Sequence, residues 1–269
     1  MYWWIPNNDG RPPAFVAYDV VEDRWRELPV PHDVGGHRWL HLVAADDVIV
    51  GYHATHEAGG NDPDQVSDPA LQAWRELPRD PLAPSFDRSM VWTGDELVLL
   101  ALDLVDNPGS KKPSLYRAAT LDMASRSWRR LPESEIVGDS PWWVSVGSLV
   151  INPSTGGADG GETNGWGRWY PSGGILDVDA GSWSRLPPPP LDVPRWVYTL
   201  VGGDGFVFSG LLSDVSTRSW TVVEGPPDGT DLEQAVAIGD GQLFVWGGVT
   251  EEGQESSADG WTMSLAPPP

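Results

Sequence analysis

The eleven residues "DVVEDRWRELP" (19–29) return along this chain with little change, and their repetition decides the fold. Further copies read "DPALQAWRELP" (68–78), "DMASRSWRRLP" (122–132) and "DVDAGSWSRLP" (177–187), and a fifth copy, "DVSTRSWTVV" (214–223), lacks the Leu-Pro ending. In every copy a Trp follows the Asp by six positions, whereas successive Trp residues lie 49, 54, 55 and 37 positions apart. A constant spacing within copies and a variable spacing between them indicate one repeated unit with insertions in particular loops.

A second pattern precedes each later copy: two apolar stretches separated by a tight turn of Gly, Asp or Ser. Examples are "HLVAADDVIVGY" (41–52) and "MVWTGDELVLLA" (90–101). Each is typical of a β-hairpin. The Asp-to-Trp copy predicts a second hairpin, in which the Asp carboxylate accepts backbone N–H bonds in the turn and the return strand carries the Trp. Two hairpins per unit predict a four-stranded antiparallel sheet that is repeated along the chain.

Such sheets arranged radially form a β-propeller. The apolar strand that ends in Gly247-Gly248, and the Tyr-Asp and Trp-x-x-Leu-Pro elements of "YDVVEDRWRELP" (18–29), resemble the repeats of the kelch family, such as the central domain of galactose oxidase. The resemblance covers essentially the whole chain and implies an all-β, kelch-like β-propeller whose repeat Trp residues pack between adjacent sheets. We predict one domain over residues 1–269, with six four-stranded blades.

One or both of the terminal blades are expected to be incomplete. The first segment, with "MYWWI" (1–5) as its opening strand, matches the second to fourth strands of a unit, and the last segment, ending with "GWTMSL" (260–265), matches the first to third. Four complete units lie between them. The total of about 22 strands is too many for five blades and two short of six.

Charge and composition exclude several classes of function. The chain has 39 Asp and Glu against 17 Lys and Arg, so its net charge is −22, which argues against nucleic acid and anionic membranes as partners. It has no Cys, which excludes disulfides, thiolate metal sites and a cysteine nucleophile. No apolar run is long enough to cross a bilayer, and the N-terminus does not resemble a signal peptide. We expect a monomer that does not insert into a membrane. By analogy with bacterial kelch-like proteins, we favour a secreted or cell-surface location for it.

Loop lengths indicate which face of the propeller carries the function. In kelch-like blades the loops that join the second and third strands lie on one face, and here these include the long segments 53–66, 103–114 and 153–174. Loops on a rigid scaffold vary without disturbing the core, so variation on one face points to a binding surface there. Solvated filler is the alternative interpretation of these Gly-rich loops.

One candidate site stands where the first strand of each blade begins. "HRWLH" (37–41), "DRSMV" (87–91), "SPWWV" (140–144) and "PRWVY" (194–198) align at this position. They predict a ring of arginines and tryptophans at the channel mouth: Arg38, Arg88, Arg195, Trp39, Trp143 and Trp196. Arginine binds carboxylates and phosphates through paired hydrogen bonds, so we expect a negatively charged ligand. Alternatively, each Arg pairs with a neighbouring Asp such as Asp87, and each Trp packs between blades.

A second candidate site lies in the longest loop. "GETNGWGRWYPSGG" (161–174) contains Trp166, Trp169 and Tyr170, with Arg168 among them. An isolated aromatic cluster in a loop has little core to join, so stacking on a ligand is one interpretation and folding over the channel as a lid is the other.

No motif indicates catalysis or a cofactor. The two histidines of "HATHE" (53–57) stand in a loop without the helix that would place both rings on one metal, and His37 and His41 are too far apart on a strand to chelate one ion. We therefore expect no metal and no cofactor. The leading hypothesis is a non-catalytic propeller that binds a protein, or a glycan or other acidic ligand, on its long-loop face. The alternatives are an enzyme of the lyase, epimerase or cyclase type acting on a small acidic substrate at the channel mouth, and a structural module.

Overall fold

The structure, a computed structural model, describes residues 2–5, 12–19, 21–31, 40–54, 63–68, 73–105, 112–138, 143–154, 156–158, 166–188, 200–202, 205–208, 211–214, 219–222, 235–239, 242–247 and 259–264. These residues form antiparallel β-sheets joined by turns and irregular segments, with no helix among them. The chain divides into two compact units, one made of residues 1–141 and 158–170 and the other of residues 142–157 and 171–269. The all-β prediction is confirmed.

Three sheets form most of the first unit. Their strands are β1 (Tyr2–Ile5), β2 (Ala14–Asp19) and β3 (Arg24–Leu28); β4 (Leu40–Ala45), β5 (Val48–His53), β6 (Gln65–Asp68) and β7 (Ala73–Glu76); and β8 (Ser85–Trp92), β9 (Leu97–Asp103), β10 (Tyr116–Asp122) and β11 (Ser127–Arg130). Within each sheet, the strands pair in chain order. The first strands of successive sheets lie side by side, because β1 contacts β4 and β4 contacts β8.

The second unit repeats this arrangement. Its sheets contain β12 (Val144–Val146), β13 (Leu149–Asn152), β16 (Gly174–Asp177) and β17 (Ser182–Ser184); β18 (Leu200–Gly202), β19 (Gly205–Phe208), β20 (Leu211–Asp214) and β21 (Ser219–Val222); and β22 (Ala235–Gly239), β23 (Gln242–Trp246) and β24 (Gly260–Ser264). Two short strands, β14 (Gly157–Ala158) and β15 (Tyr170–Pro171), pair separately. The predicted four-stranded antiparallel sheets are confirmed.

The constant Asp-to-Trp spacing is explained by the register of the second hairpin. In all five copies the Asp pairs with the residue five positions later, as in Asp122 with Ser127, and the Trp follows that partner. The Oδ1 atom of Asp122 accepts the backbone N–H groups of Ala124 (2.8 Å) and Ser125 (3.0 Å). Arg126 then takes a left-handed conformation (φ 56°), as expected for a four-residue hairpin loop built on a tight turn. A longer or shorter loop would break this pairing.

The same bonds act on the acidity of the Asp. Because the backbone N–H groups stabilise the ionised carboxylate, they lower the pKa of Asp122. The pKa of Asp19 is lowered in the same way by the N–H groups of Glu22 and Val21. The predicted role of the repeat Asp as an acceptor in the turn is confirmed for these two copies.

The Leu-Pro ending of one copy receives the Trp of the next. The indole N–H of Trp74 donates to the carbonyl of Pro29 (2.6 Å), that of Trp128 to Pro78 (2.8 Å), and that of Trp220 to Pro187 (2.9 Å). The preceding Leu is buried in the first three copies, at Leu28, Leu77 and Leu131. In these three cases the Trp of one copy therefore joins its sheet to the Pro that ends the preceding copy.

Burial of the repeat Trp residues differs from the prediction. Trp74 is buried, whereas Trp128, Trp183 and Trp220 are half-buried. The prediction of a largely buried side chain is wrong for Trp25, which is 57% exposed and stacks at a tilt on Tyr18.

Apolar cores lie between successive sheets of the first unit. Phe15, Ile49 and Trp74 form one core, and Val50, Leu97 and Leu121 belong to the next. The strand β9 is buried along its whole apolar run, residues 97–102, because both faces of its sheet are covered. In the second unit, Val144, Ile151 and Ile175 pack together with Trp220 against them.

Candidate ligand-binding surface

The structure describes five of the nine residues predicted to bind a ligand: Arg88, Trp143, Trp166, Trp169 and Tyr170. The others, Arg38, Trp39, Arg195 and Trp196, lie outside the described residues. The predicted ring of arginines at the channel mouth therefore stays a prediction for Arg38 and Arg195.

Arg88 lies in the interior of the first unit. A β-bulge between Phe86 and Ser89 interrupts the pairing of β8 with β9, and Asp87 in this bulge has a φ of 46°. The backbone N–H of Arg88 donates to the carbonyl of Ala54 (2.8 Å), which joins β8 to the end of β5. Only 1% of Arg88 is exposed.

The guanidinium of Arg88 bonds two buried carboxylates. It binds both carboxylate oxygens of Asp64: Nη2 lies 2.6 Å from Oδ2, and Nη1 lies 3.1 Å from Oδ1. Nη2 also lies 3.2 Å from Oδ2 of Asp80. Nη1 donates a further bond to the backbone carbonyl of His53 (2.7 Å). We call Arg88, Asp64 and Asp80 the buried ion-pair cluster. Nearby, burial raises the pKa of the Tyr52 phenol.

This geometry favours an interior ion pair over ligand binding as the interpretation of Arg88. A ligand would have to displace two carboxylates that already meet the guanidinium in a low-dielectric interior, where opening such a pair is costly. The alternative interpretation, pairing with Asp, describes Arg88 better, but the partners are Asp64 and Asp80 rather than the adjacent Asp87. Nothing in the sequence identified Asp64 or Asp80 as a partner of Arg88. Asp64, for example, lies 24 positions from Arg88 and stands at the end of a loop.

Trp143 also lies in the interior. It is buried, and its ring meets that of Trp183 edge to face, with centroids 6.0 Å apart and planes at 74°. Such a contact stabilises the core of the second unit. This placement favours the alternative interpretation of Trp143, packing within the fold, over contact with a ligand.

The second predicted site is a compact surface cluster. Trp166 and Tyr170 meet edge to face, with centroids 5.8 Å apart and planes at 82°. The guanidinium carbon of Arg168 lies 4.6 Å from the centre of the Tyr170 ring. Tyr170 is buried, whereas Trp169 is 46% exposed. The structure thus brings two of the three predicted aromatic residues, Trp166 and Tyr170, into contact, and Trp169 is exposed next to them in the chain. We call these three residues, with Arg168 and its partner Glu135, the aromatic surface.

Glu135 is the member that sequence reasoning missed. Its Oε1 atom accepts a hydrogen bond from Nη2 of Arg168 (2.6 Å), although the two residues are 33 positions apart in the chain. Its neighbours hold it in place: the hydroxyl of Ser134 donates to the carbonyl of Tyr116 (2.6 Å), and the N–H of Tyr116 donates to the carbonyl of Ile136 (2.9 Å). These bonds anchor the segment after β11 to the start of β10.

The turn that presents these side chains requires a glycine. Gly167 has a φ of 80°, a conformation that side chains with a Cβ rarely adopt. The turn allows Trp166 and Tyr170, four positions apart, to meet, and it leaves Arg168 and Trp169 at the surface. Hydrogen bonds to Tyr170 and Glu135 raise the pKa of Arg168 and keep it charged.

The described part of the chain holds no group of three or more His, Asp or Glu side chains placed to bind a metal ion. His53 is buried, and the ring of His41 stacks on that of Tyr52, with centroids 5.3 Å apart. His32, His37 and His56 lie outside the described residues. Nor do the described residues contain a helix long and apolar enough to cross a membrane.

No protein-family model matches this chain, and no curated protein matches it.

Proposed function

We propose that the chain is a single kelch-like propeller of six blades. The proposal is supported by the repeated sheets that pair in chain order, by first strands that lie side by side within each unit, and by the Trp-to-Pro bonds that join successive sheets. Small-angle X-ray scattering tests it. A single compact domain of this length should have a radius of gyration of about 18 Å, whereas two units that move independently would give a clearly larger value.

We further propose that the protein is a non-catalytic binding module and that the aromatic surface contacts the ligand. The observation that carries this proposal is the exposed Trp169 beside the Arg168–Glu135 pair. Trp, Tyr and Arg are the residue types that dominate binding energies at interfaces. They offer a large contact area and lose little conformational freedom when a ligand binds. The surrounding contacts hold this group in place before any ligand arrives.

The alternative, an enzyme that acts on a small acidic substrate, receives less support. It depends on arginines at the channel mouth, and the one that the structure describes, Arg88, is enclosed by Asp64 and Asp80. In contrast, three side chains of the aromatic surface are already exposed to solvent, namely Glu135, Arg168 and Trp169.

Binding to immobilised glycans and peptides tests the proposed function. Wild-type protein should retain ligands that Trp169→Ala protein loses. Trp25→Ala is the matched control, because Trp25 is also exposed but lies in the first sheet, far from residues 166–170 in sequence. Equal binding by all three proteins would place the ligand site elsewhere, and the absence of any ligand in both collections would argue against a binding module.

A further inference from the structure

We infer that the aromatic surface binds a neutral saccharide, with one sugar ring lying on Trp169 and its hydroxyl groups bonded by Arg168 and Glu135. This inference rests on the proposed binding function and names the chemical class of its ligand. It follows from an exposed indole, Trp169, that is next in the chain to Arg168, whose guanidinium pairs with Glu135.

Trp169 supplies the stacking surface. A six-membered sugar ring has a face of C–H groups, which gains by leaving water and by lying on the electron-rich face of an indole. Trp169 is 46% exposed, whereas its neighbour Tyr170 is buried and Trp166 is half-buried against it. The inner rings therefore anchor the turn, and nearly half of the surface of Trp169 is exposed to solvent.

The ion pair supplies hydrogen bonds to hydroxyl groups. Arg168 is held by the ring of Tyr170 (4.6 Å) and by Glu135 (2.6 Å), yet the side chains of Arg168 and Glu135 remain 53% and 66% exposed. A guanidinium has five N–H donors and a carboxylate has two acceptor oxygens, so contacts among the described residues use only part of this capacity. A sugar hydroxyl both donates and accepts, and two neighbouring hydroxyls match a fixed pair of donor and acceptor.

The charge of the surface favours a neutral ligand. Glu135 balances Arg168, so this pair offers no net positive charge to an anion. The chain as a whole carries a net charge of −22, which repels polyanions. At this surface the ligand class therefore differs from the anionic one expected from Arg38, Arg88 and Arg195.

A peptide fits the same surface less well. Peptides are commonly bound by adding a strand to a sheet edge or by placing side chains in a groove. The nearest strand, β15, is two residues long, so it offers very few backbone groups for strand addition. A single ring with an adjacent ion pair suits a sugar ring better than it suits an extended chain.

Isothermal titration with defined oligosaccharides tests the inference. The probes are cellohexaose, xylohexaose, mannohexaose and maltohexaose, with hexagalacturonic acid as the charged comparison. We expect wild-type protein to bind at least one neutral probe, and Trp169→Ala to weaken that binding by about tenfold or more, as for a central contact residue. Glu135→Gln should weaken it by a smaller factor, and Trp25→Ala should leave it unchanged. Raising the salt from about 0.05 M to about 0.5 M should have little effect, because screening acts on charged ligands.

Other outcomes overturn the inference in distinguishable ways. Binding of a neutral probe that survives Trp169→Ala would show that a different surface recognises the sugar. Binding of hexagalacturonic acid alone would show that the ligand is anionic. If peptides but no saccharides bind in a manner that depends on Trp169, the proposed binding function survives and the saccharide class is wrong. If no probe of either kind binds, both fail.

Discussion

Replacing Arg88 by Met would remove the only cation of the buried ion-pair cluster while keeping the length of the side chain. The variant loses two hydrogen bonds to Asp64, one to Asp80 and one to the carbonyl of His53. Asp64 keeps a bond from the backbone of His53 (3.3 Å), and Asp80 keeps one from Leu82 (2.8 Å). Two carboxylates would then remain in the interior with backbone donors but without the guanidinium.

The expected loss follows from burial. The side chains of Arg88 and Asp80 are fully buried, and that of Asp64 is 5% exposed. Removing one partner of a buried pair destabilises a protein by about 3–5 kcal/mol, because the remaining charge is uncompensated. This is a large part of the roughly 5–15 kcal/mol that stabilises a typical domain. Adding Asp80→Asn to the Arg88→Met variant removes one of the two charges and should restore part of the loss.

Urea unfolding followed by tryptophan fluorescence and circular dichroism measures this effect. With a slope of about 3 kcal/mol per M, the midpoint should fall by about 1–2 M. The matched control is Arg129→Met, which breaks the exposed pair between Arg129 and Glu96 (3.0 Å). A surface pair contributes at most about 1 kcal/mol, so this midpoint should barely move. If Arg88→Met falls no further than the control, the cluster is not what holds Arg88 in place, and a ligand-binding role for Arg88 would have to be reconsidered.

Three further predictions concern the repeat and its turns. In urea unfolding, Trp74→Ala should lower the free energy of unfolding by about 3–5 kcal/mol. Trp74→Phe should lower it by about 1 kcal/mol, because the hydrogen bond to the carbonyl of Pro29 is lost. The same changes at the exposed Trp25 should have little effect. The pKa of Asp122 is lower in the folded protein than its ordinary value of 3.8. The stability that this carboxylate contributes is therefore complete above pH 3.8 and is lost as the pH falls through the pKa of the folded state. The Asp122→Asn variant should accordingly show a weaker dependence of melting temperature on pH in this acidic range. Treatment with EDTA should leave the melting temperature unchanged, and a fall that zinc or calcium reverses would reveal a metal site.

The sheets of this protein were predictable because their signals are local. The spacing from Asp122 to Trp128 reports a four-residue hairpin loop, and the structure pairs Asp122 with Ser127 as that loop requires. The described residues of the first and last segments form three-stranded sheets, β1–β3 and β22–β24, which agrees with the three strand-like stretches recognised in each of these segments.

In the candidate site, too, the residues that are close in sequence were predicted and the distant one was not. Trp166, Trp169 and Tyr170 were found because they lie within five consecutive positions of one Gly-rich loop. Glu135 was missed because it reaches Arg168 across 33 residues through the packing of a separate segment.

By itself, the sequence determined the all-β class, the hairpin registers and the repeat of the sheets, since these depend on the alternation of side chains and on turn chemistry within a few residues. Only the tertiary structure decided which polar groups meet. An Arg at the start of β8 is compatible with a ligand site or an interior pair, and the choice depends on whether Asp64 and Asp80 arrive beside it. Their arrival is set by the packing of whole sheets, and burial then makes the pairing strong enough to exclude other partners.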